Sequence, residues 1–142
     1  MPYATYADII NAHEETTIIE LSDDNRDGIA DVGVIDAVLG QADDEIHARI
    51  ATRYAVPMNP IPALAKRLAV SLAIGLLFAR RSGDLPLSVK EQVQSAKKLL
   101  DRIGEGKADF GATALPASDA VHLDVRMTSQ VRIFSRTRMK GF

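Results

Sequence analysis

Between Leu68 and Ala79 the chain carries twelve residues without a single charge, with Lys66 and Arg67 in front and Arg80 and Arg81 behind. A helix that is apolar on nearly every side cannot lie on a surface. It belongs in the middle of a bundle, or it is shared with a neighbouring subunit. The run is also well short of the roughly 20 apolar residues that span a bilayer, so it predicts a buried helix and no membrane anchor. The rest of the chain has to supply its cover.

The flanking sequence offers more helices. Thr5 is a natural N-cap for a short helix through about Ala12, and a second short stretch is expected around Glu15 to Leu21, weakened by Thr16, Thr17, Ile18 and Ile19. Asp31 is the expected N-cap of a long helix whose apolar stripe is Ile35, Val38, Leu39, Ala42, Ile46 and Ile50. Its opposite face carries Asp36, Asp43, Asp44, Glu45, His47 and Arg49, and it ends near Tyr54 because Pro57, Pro60 and Pro62 follow. The segment Val56 to Pro62 is expected to be a stiff, extended connector. The apolar run then forms a helix from about Ala63 to Arg81. Ser88 is expected to cap a last helix whose buried stripe is Val89, Val93, Ala96, Leu100 and Ile103, with Gly104 or Gly106 as its stop. From Lys107 the sequence loses its periodicity and reads as a linker, with His122 to Arg126 and Val131 to Phe134 as candidates for short strands. The expected architecture is therefore mainly α: a four-helix-bundle-like core over residues 1–106, then an extended C-terminal arm over 107–142.

Composition narrows the function. Aromatic residues are 5% of the chain with no Trp, which leaves few platforms for stacking bases. The absence of cysteine excludes a disulfide scaffold, a thiol nucleophile and Cys-ligated zinc, and it suits a reducing cytoplasm. The start, Met1 to Asp8, lacks the basic-then-apolar order of a signal peptide. His13, His47 and His122 fall in three separate elements with no zinc spacing, and there is neither a nucleophile elbow nor a phosphate-binding glycine loop. No enzyme is expected.

A net charge of −2 hides a strong polarity. Twelve acids lie between Asp8 and Glu45 against Arg26 alone, whereas after Asp124 come Arg126, Arg132, Arg136, Arg138 and Lys140 with no acid. Opposed charges suit a molecule that meets its neighbours head to tail, although two merely solvated faces would look the same. The tail could touch nucleic-acid phosphates. Its interleaved Val131, Ile133, Phe134, Met139 and Phe142 favour docking in a protein groove or on a sheet edge.

The stretch Asp23-x-Asn25-x-Asp27-Gly28-x-x-Asp31 copies five positions of a calcium-binding loop. Its twelfth position, where a bidentate Glu belongs, is Val34. Two readings follow: a weak calcium site on Asp23, Asn25, Asp27 and Asp31, or a tight turn whose carboxylates favour the start of the next helix.

The order of these features resembles the small neck proteins of Mu-like phages and prophages. The resemblance is carried by Tyr3-Ala4-Thr5 with Asp8-Ile9-Ile10, Leu21-Ser22-Asp23 leading into Gly28-x-x-Asp31, and Ile35-x-x-Val38-Leu39-x-x-Ala42-x-x-Glu45-Ile46. Arg53-Tyr54-x-x-Pro57, Leu64 to Ala79, Gly106-Lys107, Phe134-Ser135-Arg136 and Gly141-Phe142 complete it, so it spans almost the whole chain. It implies a head–tail connector of the virion neck, assembled in the host cytoplasm as a ring, twelvefold in the connectors it is similar to. The implied partners are other copies of the chain, the portal protein, and a tail-terminator or tail-completion protein, with genomic DNA passing through and no membrane. Tail completion is the neighbouring role at the same neck. The resemblance brings no catalytic residue and no cofactor. On this reading Arg126, Arg132, Phe134, Arg136, Arg138 and Phe142 dock the arm on the portal, and Asp43, Asp44 and Glu45 line the lumen, repelling DNA.

Overall fold

The computed structural model describes residues 2–81 and 83–111. Five helices follow one another: α1 (Tyr6–Ala12), α2 (Glu15–Ser22), α3 (Val32–Ile50), α4 (Ala63–Arg81) and α5 (Leu87–Gly104). No strand occurs among the described residues. The three long helices α3, α4 and α5 pack against one another, and the short pair α1 and α2 lies across α4. The fold is mainly α, as its periodicity demands.

Helix α4 is the axis of the structure. Every residue from Leu68 to Gly75 is buried, and the chain provides that cover itself, because α1, α2, α3 and α5 all contact α4. The alternative of sharing this helix with a neighbouring subunit is thus not needed. Its one buried hydroxyl is satisfied: Ser71 donates to the Arg67 carbonyl at 3.1 Å and accepts from Gln92 Nε2 at 3.0 Å. Helix α5 comes so close to α4 that a Cβ at Gly75 would collide with the Val93 side chain. At the far end of α5 a Cβ at Gly104 would strike the Arg49 carbonyl oxygen. Glycine is what lets α5 lie flush against both neighbours.

The helix ends show what the local signals do. The Asp8 carboxylate accepts from the Thr5 N–H at 2.9 Å and the Thr5 hydroxyl at 2.7 Å, which fixes the start of α1. Asp31 occupies the N-cap position of α3, yet its side chain makes no capping bond there and is used in the preceding loop. The N-cap of α5 is Pro86 and not Ser88: the Pro86 carbonyl accepts the first helical bond, from Lys90 N at 2.9 Å. Proline lacks an N–H that a cap would have to satisfy, so the helix starts two residues earlier than serine alone would signal. After α3 the chain turns through Arg53 and Tyr54, both of whose N–H groups reach the Ile50 carbonyl.

The proline segment is not an extended spacer. The peptide bonds before Pro57 and Pro60 are cis, and the segment bends so that Met58 is buried in the core. Past α5, the chain folds back. Arg53 donates to the carbonyls of Ile103 (3.0 Å) and Ala108 (3.3 Å), and Phe110 packs edge-on against Tyr54 with ring centroids 5.4 Å apart. The boundary expected at residue 106 therefore falls inside a packed turn that continues to Phe110. The strands expected at 122–126 and 131–134 lie outside the described residues.

Candidate functional site

Three polar features stand out on this scaffold, and each is built by a different local device. The first is a junction at the N-terminus. Tyr3 is buried, and its N–H donates to the Asp43 carboxylate at 3.1 and 3.3 Å. Its hydroxyl accepts from Met58 N at 3.1 Å and lies 2.8 Å from His47 Nε2, with the two rings edge to face at 5.2 Å. One tyrosine thus ties the N-terminal strap to α3 and to the proline segment. Burial pushes the Asp43 carboxyl above its ordinary value, partly offset by the Tyr3 N–H. Burial likewise raises the Tyr3 phenol, against the lowering effect of the Met58 N–H.

Asp43, which helical counting placed on the outer face and the resemblance implied would line a lumen, is buried. Its relative exposure is 8%, because the strap folds over it and uses its carboxylate as an acceptor. Asp44 is exposed. Glu45 is half-buried and pairs with Arg49 at 3.2 Å and Lys97 at 3.0 Å. The three consecutive acids thus have three separate fates, and Asp44 alone keeps the outward aspect expected of all three.

The second feature is the loop from Asp23 to Asp31. The oxygens of Asp23, Asn25, Asp27 and Asp31 are turned onto the loop's own N–H groups. Asp23 accepts from Arg26 N (2.6 Å), Asp27 N (3.2 Å) and Gly28 N (2.8 Å). Asn25 accepts from Asp27 N (3.1 Å), Asp27 from Ile29 N (2.8 Å), and Asp31 from Asp24 N (2.9 Å). Arg26 and Gly28 take positive φ, which curls the backbone around the Asp23 carboxylate. No group of three or more Asp, Glu or His among the described residues is arranged to hold a metal ion. The loop is anchored to the end of α4: Asp24 pairs with Arg80 and Arg81, and Arg81 also donates to the Asp23 carbonyl. The Arg80 guanidinium holds the Asp24 carboxyl below its ordinary value.

The third feature is the outer face of α3, a ridge between two open grooves. One, of about 530 Å³, runs past Gly33, Ala37, Gln41, Leu76 and Ala79. The other, of about 510 Å³, runs past Pro2, Asp36, Gly40, Asp44 and Pro57. Val32, at the head of this ridge, is 71% exposed, and Ile29 just before it is 67% exposed. Sequence periodicity had marked the outer face as charged. Only in three dimensions does it become apolar at one end, small along its length, and acidic at Asp36 and Asp44.

Tertiary contacts also change the charge pattern. Along the sequence the acidic front has Arg26 alone against it; in space Lys66 pairs with Asp8 at 2.8 Å, Arg80 and Arg81 with Asp24, and Lys97 with Glu45. Asp36 and Asp44 have no ion-pair partner among the described residues. The junction of Tyr3, His47 and Met58 was not legible, because its members lie 44 and 55 positions apart. The docking residues expected at Arg126, Arg132, Phe134, Arg136, Arg138 and Phe142 lie outside the described residues.

Comparison with known proteins adds two findings. A family model described as Bacteriophage Mu, Gp36 matches residues 3–127. Gene product J of Escherichia phage Mu is 26% identical over 144 residues, an alignment that covers 100% of this chain and 99% of that one.

Proposed function

The chain belongs to the bacteriophage Mu Gp36 family, and from that premise we propose that it is a head–tail connector subunit of a phage neck. It is a non-catalytic part of the virion, assembled in the host cytoplasm, that forms a ring, twelvefold by likeness to other connectors, between the portal and the tail. No helix of the described residues is long and apolar enough to cross a membrane. Other copies of the chain, the portal and a tail-terminator or tail-completion protein are its partners, and DNA passes without sequence-specific binding.

The observation that carries this reading is a core that closes on itself while leaving charge of both signs outside. Every buried side-chain N or O atom among the described residues has a hydrogen-bond partner. Exposed Asp36 and Asp44 on α3 face outward, and so do Lys90, Lys98 and Arg102 on α5. Heterologous ring contacts use such opposed surfaces. The arm beyond residue 111, with Arg126, Arg132, Phe134, Arg136, Arg138 and Phe142, serves as the grip on the portal, where Arg and aromatic side chains make effective anchors. Asp44 is the residue of its acidic run fitted to repel DNA from a lumen.

The test mixes purified protein with a portal ring and images the product by electron microscopy, beside a chain ended after Gly111 so that Phe110 keeps its place. The full chain adds a second ring to the portal, and the shortened chain does not. If neither adds density, the connector role falls, and a tail-completion role becomes the one to test against isolated tails.

A further inference from the structure

We propose that copies of this protein join head to tail by seating the outer ridge of α3 on one copy against the outer face of α5 on the next. The proposal deepens the connector reading by naming the faces that meet, and it rests on that reading only for the setting in which they do so.

The two surfaces are complementary along their length. On α3 the positions Val32, Asp36, Gly40 and Asp44 recur every fourth residue, all exposed, so they form one continuous ridge. On α5 Lys90, Gln94, Lys98 and Arg102 recur at the same interval, all exposed, with Leu87 at their head. Leu87 is 71% exposed, the same as Val32, so each ridge starts with an uncovered aliphatic residue. Charge then alternates against charge: acid at Asp36 and Asp44, base at Lys90, Lys98 and Arg102. Exposed Glu91 flanks the basic row, while Asp101 is turned to Arg49.

The α3 ridge is unusually low. Gly33 and Gly40 sit in the helix with nothing within 4 Å of where a Cβ would be. Glycine weakens an exposed helix, and nothing among the described residues requires it at either position. A second helix approaching closely would require it, and the grooves of about 530 and 510 Å³ on the two sides of the ridge give its side chains somewhere to go.

The occupant we assign is another copy, because the outer face of α5 carries the complementary charge. Helices α3, α4 and α5 all contact one another around a common core, so the outer faces of α3 and α5 point in different directions. One subunit cannot bring its own two surfaces together. A contact between unlike faces of identical chains propagates, closing into a ring or continuing as a filament.

The chain has no cysteine, which makes a placed pair easy to read. Ala37→Cys protein, changed at an exposed position beside the ridge so that Gly40 is kept, is mixed with Gln94→Cys protein at low salt and exposed to a short bismaleimide. The mixture gives crosslinked dimer at about tenfold the yield of either variant alone or of Ala37→Cys with Glu20→Cys. A chain carrying both Ala37→Cys and Gln94→Cys gives a ladder of higher species. Adding Asp36→Lys with Asp44→Lys to the first partner removes the product, and adding Lys90→Glu with Lys98→Glu to the second restores it. Equal yields in all pairings, or a charge swap without rescue, overturn the proposal. The portal experiment reads the connector role separately: a wild-type ring on the portal without the crosslink overturns this interface alone, and the crosslink without portal binding overturns the connector role alone.

Discussion

Helices α3 and α4 are both nineteen residues long, yet they belong to the molecule in different ways. Helix α4 is buried on every side through its middle, and its glycine, Gly75, is pressed against Val93. Helix α3 gives one face to the core and leaves the other open among the described residues, where its glycines, Gly33 and Gly40, have nothing within 4 Å of a Cβ position. The same residue type therefore marks a completed contact in one helix and an uncompleted one in the other. Stability is concentrated in α4. Among the described residues nothing covers the outer half of α3, the face proposed for assembly.

The sharpest way to break this contrast is to cut into α4. Leu77 is fully buried, and Leu77→Ala removes its contacts and leaves a cavity, so urea denaturation should show a loss of about 2–5 kcal/mol. A loss below about 1 kcal/mol would mean that α4 is less tightly enclosed than its burial states. Next comes a paired comparison of glycines. Gly75→Ala should destabilise by about 1–3 kcal/mol through overpacking against Val93. Gly40→Ala should stabilise the isolated subunit by about 0.5–1 kcal/mol, because alanine favours helix and nothing obstructs its methyl. If Gly40→Ala also lowers crosslinking through the α3 ridge, the glycine is kept for contact at the expense of the helix.

A smaller effect tests the inward side of α3. Burial raises the Asp43 carboxyl above 3.8, so the folded chain holds that proton more tightly than the unfolded chain. The corresponding stability is fully present below pH 3.8 and is lost as pH rises through the folded value. Asp43→Asn lacks this dependence while keeping an acceptor for the Tyr3 N–H. Its stability relative to wild type should therefore climb across that window, measured by thermal melts at a series of pH values. A difference that does not vary with pH would mean that Asp43 is solvated and the strap is open. The smallest expected effect is that of calcium. The Asp23–Asp31 loop already directs its oxygens to its own N–H groups, so millimolar calcium should leave the melting temperature unchanged. A clear rise would show that the loop can exchange those bonds for a cation.

Much of the fold could be read in advance because its signals are local. The run from Ala63 to Arg81 lies between a proline and a basic pair, and α4 has those bounds. The fourfold and threefold steps from Ile35 to Ile50 do bury that stripe of α3. The same counting misassigned Asp43, since a helical wheel records which way a residue points and not what folds over it. The proline segment misled for a related reason: each proline stiffens its own backbone, but whether three in succession extend or bend depends on Met58 finding the core and Tyr3 finding Met58 N. Charge was legible as composition and not as surface, because Lys66, Arg80, Arg81 and Lys97 approach the acidic front only after folding.

The sequence by itself determined a helical chain built around one helix that had to be central, since twelve uncharged residues leave no face for water. It also determined where those helices begin and end to within a few residues, and it excluded thiol chemistry outright. Only the tertiary structure decided which charges remain outside, which acid is buried under the N-terminal strap, and which glycines are filled and which are open. The physical reason is distance. Helix periodicity and capping act over three or four residues, whereas ion pairing, burial and close approach depend on groups that lie tens of positions apart until the chain folds.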